Sequence, residues 1–358
     1  MIKEPYLKGK PFVVGGSGVT RRGVVSTASY SARKFHIGSG MSLNDAFHLY
    51  PKLLVVPIDF KLYRKYSHLF FEYLETFSDL VLAGSIDEAY VDVTKLAETK
   101  HPLDIAKDIQ HGLLSKYQLP CSIGIGPTLF LAKMASDMKK PLGITVIRKK
   151  EIVEKLFPLP IKDMFGIGKK SYPKLMEMGI ITIGDFTKRE NRQKILSMMS
   201  EEGYLSYLDH IMGRSNDVVD PDKYAINQSI SNETTLNYNM DAFDAMVPII
   251  DDLFETSYQR LIKGEYVCKG VTIKVKNADF KLMTRSYTFH DYTDDRDKLK
   301  ASIMDLYEKH YDGEPVRLLG IGFSQLLLKK DLKIDINLFN YHEFTKREER
   351  LYEIKKTS

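Results

Sequence analysis

The sequence predicts a multidomain α/β protein, and three observations predict it. Its 358 residues exceed what one hydrophobic core ordinarily fills. Apolar, β-branched runs alternate with helix-periodic segments as far as residue 148, where a charged run opens an all-helical stretch. After a polar, Asp-rich interval at residues 214–226, a fresh α+β pattern begins.

Taken in order, Pro11-Phe12-Val13-Val14 reads as a strand closed by Gly15-Gly16-Ser17-Gly18. A second strand, Gly23 to Thr27, feeds a helix through Ser29-Tyr30-Ser31-Ala32-Arg33-Lys34-Phe35, and Leu53 to Pro57 is a third strand. From Phe60 to Phe77, Leu62, Tyr66, Leu69, Phe70, Tyr73, Leu74 and Phe77 recur at helical spacing and predict one wide buried face. A hairpin follows, then a helix (101–116), a strand (121–125), a helix (128–138) and a strand (144–147), which together suggest helices on one face of a mostly antiparallel sheet. In the last part, helices at 242–263 and 297–311 separate strands near 266–277, 281–289 and 316–328. The tail, 329–358, is highly charged apart from an apolar knot at Ile336 to Phe339.

Composition excludes some classes. The two cysteines, Cys121 and Cys268, lie in apolar runs without metal-ligand spacing and read as buried thiols of a reducing compartment. No apolar run is long enough to span a bilayer and no secretory signal opens the chain, so a cytoplasmic protein without a membrane partner is expected. The net charge of +5 permits a polyanionic partner without requiring one.

Asp87 and Glu88 lie at the tip of the hairpin Ala83-Gly84-Ser85-Ile86-Asp87-Glu88-Ala89-Tyr90-Val91-Asp92-Val93. Gly84-Ser85 already meets the backbone needs of a turn, so two further carboxylates are either a solvated acidic tip or a seat for hard divalent cations. Neighbouring strand residues point to opposite faces, so the two share a site only where the backbone bends.

A second group is basic. Tyr30 and Arg33 sit three apart on one helix, Thr27 lies near that helix's N-terminus, and Lys140 precedes Pro141 at the end of the 128–138 helix. Singly these are ordinary surface residues; jointly, near two carboxylates, they make a triphosphate cradle. A third group, Phe165-Gly166-Ile167-Gly168-Lys169-Lys170 followed by a helix and Gly179, has the pattern of a helix-hairpin-helix. Its glycines let backbone N–H groups approach a phosphate; the alternative is a plain helix connection with a glycine cap. Lys169 and Lys170 favour phosphate binding.

Four segments together resemble the Y-family translesion DNA polymerases, in the bacterial DNA polymerase IV branch. They are Ser29 to Phe35, Ser85 to Asp92, Leu131-Ala132-Lys133-Met134-Ala135-Ser136-Asp137-Met138-Lys139-Lys140-Pro141-Leu142-Gly143, and the Gly166-Ile167-Gly168 hairpin. The resemblance runs over essentially the whole chain. It implies a right-hand polymerase with small fingers (1–58), a ferredoxin-like palm (59–148), a helical helix-hairpin-helix thumb (149–213), a linker (214–226), an α+β little finger (227–328) and a charged tail (329–358). It implies that Asp87 is a metal-ligating aspartate and Glu88 its catalytic neighbour, both on two Mg²⁺ ions. It further implies that Thr27, Tyr30, Arg33 and Lys140 contact a deoxynucleoside triphosphate. Gly166, Gly168, Lys169 and Lys170 would contact primer–template DNA, as would Lys274 and Lys276, whose alternation places them on one sheet face. The activity implied is low-fidelity, template-directed synthesis past damaged bases by a monomer. In the tail, Asp335-Ile336-Asn337-Leu338-Phe339 loosely resembles a sliding-clamp-binding peptide, with Ile336, Leu338 and Phe339 as its apolar anchors.

The sequence departs from the family at two places. Gly126-Pro127-Thr128-Leu129 stands where the family more often has Ser, Asn and Lys. The family's opening palm strand, with a further metal-binding aspartate and an aromatic sugar gate, corresponds to sequence upstream of Met1. An internal methionine start or a truncation is therefore expected, and the alternative is a catalytically impaired DNA-binding relative. A nucleotide-cyclase-like palm is a third reading, opposed by the thumb hairpin and the little finger. Primer extension by this chain, compared with one carrying the upstream strand, separates these readings: little incorporation by the former and restored synthesis by the latter are expected, and robust extension by both contradicts the impairment.

Overall fold

The computed structural model describes residues 3–224 and 226–332. The chain divides into two compact units, Met1–Pro221 and Asp222–Ser358, and the division falls inside the polar interval.

The first unit opens with a three-stranded sheet of order β2-β1-β3. β1 (Phe12–Ser17) pairs antiparallel with β2 (Arg22–Ala28) and parallel with β3 (Leu54–Pro57). Two helices, α1 (Tyr30–Arg33) and α2 (Leu43–Leu49), lie between β2 and β3 in sequence. Val13, Val25, Ala32, Leu43, Ala46 and Leu53 close a small core between them. The helix expected through Phe35 is a single turn. Phe35 and His36 amides already bond back three residues, and His36 adopts φ 62°, which ends the helix.

Next come α3 (Phe60–Glu75), the hairpin of β4 (Val81–Ala83) and β5 (Ala89–Val91), α4 (Pro102–Tyr117), β6 (Ile123–Ile125), α5 (Leu129–Met138) and β7 (Ile144–Val146). Asp59 starts α3 by accepting the Leu62 amide at 3.0 Å. The expected wide buried face of α3 is only partly covered. Tyr73 and Leu74 are buried against Val81, Ile105, Ile109 and Leu113, whereas Leu62, Tyr66 and Leu69 are half-buried. The reason is that α4 and β4 meet the C-terminal turns of α3 (Phe70 to Phe77) and not its start. The sheet here is also less uniform than expected. Among the described residues it consists of two separate pairs, β4-β5 antiparallel and β6-β7 parallel, the second joined through α5 as a βαβ crossover.

Five short helices complete the unit: α6 (Ile152–Lys155), α7 (Tyr172–Glu177), α8 (Ile183–Thr187), α9 (Arg192–Leu196) and α10 (Glu201–Ile211). Leu156, Ile161, Leu175, Ile180, Phe186, Ile195 and Ile211 form their core, which Phe130, Leu131, Met134 and Ala135 of α5 enter.

The second unit is a four-stranded antiparallel sheet of order β10-β9-β11-β8. Its strands are β8 (Ser229–Met240), β9 (Tyr266–Asn277), β10 (Leu282–Thr293) and β11 (Val316–Leu328); α11 (Phe243–Lys263) and α12 (Arg296–His310) cover one face. Val271, Ile273 and Val275 of β9 point to the helices, while Thr272, Lys274 and Lys276 point away. β8 was not expected from the sequence. It is an edge strand burying only Ile230 and Leu236, and its Ser, Asn and Glu residues mask the alternation. Among the described residues no helix is long and apolar enough to cross a membrane.

Tyr307 of α12, 2% exposed, donates its hydroxyl to the Gly320 carbonyl of β11 at 2.7 Å. Tyr307→Phe leaves that buried carbonyl one donor short and is expected to cost about 1–3 kcal/mol. Urea unfolding followed by circular dichroism checks this; an unmoved midpoint contradicts it.

Candidate active site and nucleic-acid interface

The acidic tip is a five-residue turn whose backbone ties itself down. The Gly84 and Ser85 amides both donate to the Glu88 carbonyl, at 2.8 and 3.1 Å. The Ser67 hydroxyl of α3 donates to the Ile86 carbonyl at 2.6 Å. The backbone therefore bends at the acidic pair, as a shared site requires, while both side chains stay exposed. Their first partners differ. Asp87 Oδ1 accepts the Ser85 hydroxyl at 2.7 Å, and Glu88 Oε1 accepts the Lys133 ammonium at 2.6 Å.

Lys133 extends that contact into a chain of charges along α5. Its Nζ lies 3.4 Å from Asp137 Oδ2, and Asp137 Oδ1 lies 2.6 Å from Lys140 Nζ. Burial works to lower the Lys133 ammonium, but hydrogen bonding and charge pairing with Glu88 and Asp137 override it and hold the group above its ordinary value. Lys140 is thus linked to the hairpin through two intervening side chains. Lys133 and Asp137 did not stand out in the sequence as site residues. Their four-residue spacing on one helix, with Lys140 three further on, is the signal that would have found them.

Thr27, Tyr30 and Arg33 form a separate exposed group at the end of β2 and on α1. The Arg33 guanidinium sits 5.4 Å from the centre of the Tyr30 ring, and its Nε donates to the Ala28 carbonyl at 3.1 Å. The helix-end attraction expected near Thr27 needs correction. A one-turn helix carries little dipole, and the Ser29 hydroxyl already accepts the Ala32 amide at 3.2 Å. Any anion binding there rests on Arg33 itself. Thr128, at the departure from the family pattern, caps α5 by accepting the Leu131 amide at 3.3 Å.

In the helical stretch, Gly166 adopts φ +90°, and a Cβ there would meet Tyr207 Oη at 2.8 Å. That hydroxyl donates to the Gly166 carbonyl at 3.0 Å, so only glycine fits. A Cβ on Gly168 would meet nothing within 4 Å; its surroundings are open, as are those of exposed Lys169 and Lys170. Behind the loop, Asp185 accepts the Thr182 and Ile181 amides at 2.9 and 3.2 Å and pairs with Lys188 at 2.8 Å. Lys188 chiefly, against opposing burial and with the amides in support, holds its carboxyl well below the usual carboxylate range.

On the second unit's open face, Lys274 pairs with Glu233 at 2.5 Å. Gly320 lies between them in the ladder, and a Cβ there would stand 2.9 Å from the Glu233 Cβ. A bare glycine on the middle strand thus lets β9 and β8 side chains meet across it. Lys276 lies 5.8 Å from the centre of the Phe280 ring. Ile336, Leu338 and Phe339 lie outside the described residues. Among those described, no group of three or more His, Cys, Asp or Glu residues is placed to hold a metal ion. The two hairpin carboxylates suit a hard cation that completes its shell with substrate phosphates and water.

Comparison with known proteins gives a consistent result. Residues 1–137 match the impB/mucB/samB family, and residues 227–336 match that family's C-terminal domain. DNA polymerase IV of Bacillus velezensis is 37% identical over 97% of this chain and 84% of its own length. A chimeric Y-family DNA polymerase superposes with a TM-score of 0.80 at 24% identity, covering 92% of this chain and 95% of that one. An insertion ternary complex of Dbh DNA polymerase superposes with a TM-score of 0.64 at 25% identity, with the same coverage.

Asp185 supplies a pH test. Its folded pKa is depressed, so its stabilisation is complete above the unfolded value near 4 and is lost as pH falls below it. Asp185→Asn is expected to destabilise the first unit by about 1 kcal/mol at neutral pH and to flatten the acid limb of its stability profile. Parallel acid limbs in thermal unfolding of the two proteins contradict this.

Proposed function

The chain belongs to the impB/mucB/samB family of Y-family DNA polymerases, and from that premise we propose how its own residues carry out the family's reaction. It is a DNA-directed DNA polymerase of the DNA polymerase IV branch, working in translesion synthesis. The matched relatives are polymerases, which favours catalysis over the silent DNA-binding alternative.

The observation that carries the residue assignment is the charge chain from Glu88 through Lys133 and Asp137 to Lys140. It joins an exposed carboxylate pair to the lysine that the family pattern puts on the triphosphate. Asp87 and Glu88 are the residues that would hold magnesium ions. Bound there, the ions would supply electrostatic stabilisation of charge on the phosphoryl and primer oxygens. Because the turn backbone is fixed by Ser67 and by the Gly84 and Ser85 amides, the carboxylates need little reorganisation to bind. Lys140 and Arg33 present cations to the β- and γ-phosphates, and Tyr30 and Thr27 add hydroxyl donors.

The remaining assignments follow the same reading. Gly166 and Gly168 with Lys169 and Lys170 grip the duplex backbone, and Lys274 and Lys276 meet it from the little finger, without reading sequence. The fingers, palm, thumb, linker and little finger occupy 1–58, 59–148, 149–213, 214–226 and 227–328. Ile336, Leu338 and Phe339 dock on a sliding clamp as an apolar plug in a charged tail. The polymerase acts in the cytoplasm as a monomer.

Asp87→Asn tests the assignment. Primer extension by the chain carrying the upstream strand is expected to fall by on the order of 10²-fold or more, while duplex affinity measured by anisotropy stays within about twofold because phosphate contacts dominate it. Undiminished extension by this variant sinks the hairpin's role.

A further inference from the structure

Three parts of the first unit meet at Lys133. Its Nζ donates to Glu88 on the hairpin at 2.6 Å, lies 3.4 Å from Asp137 on its own helix, and sits 5.9 Å from the centre of the Phe165 ring. Only 14% of the side chain is exposed. An ammonium has three protons to place, and in a half-buried position these neighbours are what it has to place them on. Phe165 leads into the glycine loop proposed to grip DNA. Its backbone N–H reaches Met134 Sδ at 3.3 Å, and its neighbour Gly166 is held by Tyr207. One cation therefore pairs with the hairpin carboxylate and lies within cation–π range of the aromatic ring at the root of the loop.

We propose that Lys133 is a positioning residue that couples cation binding at the hairpin to the thumb loop's grip on DNA. The proposal rests on the reading of Glu88 as a metal ligand. Lys133 and a divalent cation compete for Glu88, because two cations on one carboxylate repel each other strongly in a partly desolvated site. Without metal, Lys133 holds Glu88. When Glu88 is taken by metal, Lys133 keeps Asp137 and the Phe165 ring. Asp137 can serve it and Lys140 together, since each engages a different carboxylate oxygen. An ammonium left to the ring face holds Phe165, and with it the loop, more firmly. Linkage makes the effect reciprocal, so DNA that orders the loop raises the hairpin's cation affinity by the same factor.

The test uses the full chain, Mn²⁺ as the probe cation, and a primer–template duplex with a dideoxy terminus. Electron paramagnetic resonance measures Mn²⁺ binding to the DNA-free protein, and anisotropy measures duplex affinity with and without Mn²⁺. Wild type should bind the duplex about fivefold or more tightly with Mn²⁺ present, the lower range of ordinary coupling. Lys133→Met should bind Mn²⁺ more tightly than wild type, which damage to the fold would not produce, and should lose the Mn²⁺-dependent tightening on DNA. Phe165→Leu leaves the Glu88 pair in place and removes one partner that Lys133 falls back on, so it should bind Mn²⁺ no more tightly than wild type and also lose the tightening. Unchanged or weaker Mn²⁺ binding by Lys133→Met, or tightening retained by Phe165→Leu, overturns the coupling. Loss of Mn²⁺ binding in Asp87→Asn with no effect of Lys133→Met leaves the hairpin reading standing and removes the coupling alone. Wild type that binds no Mn²⁺, or binds it equally well after Asp87→Asn, overturns the hairpin reading and the coupling with it.

Discussion

The amphipathic split of α5 is the constraint on which the first unit depends. Phe130, Leu131, Met134 and Ala135 form one stripe and are buried in the core of the short helices. Lys133 and Asp137, four apart, form a second stripe along the same ten-residue helix. Each fully buried leucine-sized side chain contributes about 1.5–3 kcal/mol, whereas an ion pair with one partly buried member returns little net of its desolvation. Apolar packing therefore sets the rotation of the helix, and the charges go where that rotation sends them. The meeting of Lys133 with Glu88 is a consequence of where Leu131 and Met134 are buried.

The hairpin follows a complementary rule. Its backbone is fixed and its side chains are left exposed. Two amides on the Glu88 carbonyl and the Ser67 hydroxyl on the Ile86 carbonyl hold the turn, so binding at its tip has no loop to order first. Each carboxylate carries a polar partner that a stronger ligand can displace, Ser85 for Asp87 and Lys133 for Glu88. A tip built this way keeps its shape without a bound cation.

What was legible in the sequence follows from what is local. The hairpin strands, α4, α5, α11, α12 and β9 are encoded in periodicity and turn residues that act within a few positions, and they appear where those signals put them. The face of α3 was over-read because periodicity reports which residues share a side, not whether anything covers that side. β8 was missed because an edge strand needs few apolar residues: Ile230 and Leu236 suffice when β11 supplies the hydrogen bonds. The acidic pair, the glycine loop and Lys140 were visible as motifs. The Glu88–Lys133 pair was not, because it joins residues 45 apart through a packing decision made elsewhere on the helix. The same holds for Lys274 and Glu233, 41 apart, which meet only because Gly320 has no side chain.

Those two lysine–glutamate pairs look alike and differ in what they cost to open. Lys274 and Glu233 are 36% and 48% exposed, so water and salt compete for both, and another anion replaces Glu233 with little penalty. Pairing there keeps the Lys274 cation ordered without withholding it from an anion. Lys133 is 14% exposed, and an ammonium that loses its carboxylate at such depth must find another partner rather than solvent. Asp137 and the Phe165 ring are those partners. Exchange at Lys274 is therefore a local event, with water taking up the difference. Exchange at Lys133 falls on a neighbouring helix residue and on the ring at the root of the glycine loop, so burial rather than charge separates the two pairs: on the proposed assignments, one is a reserve of phosphate contacts and the other a link between the hairpin and that loop.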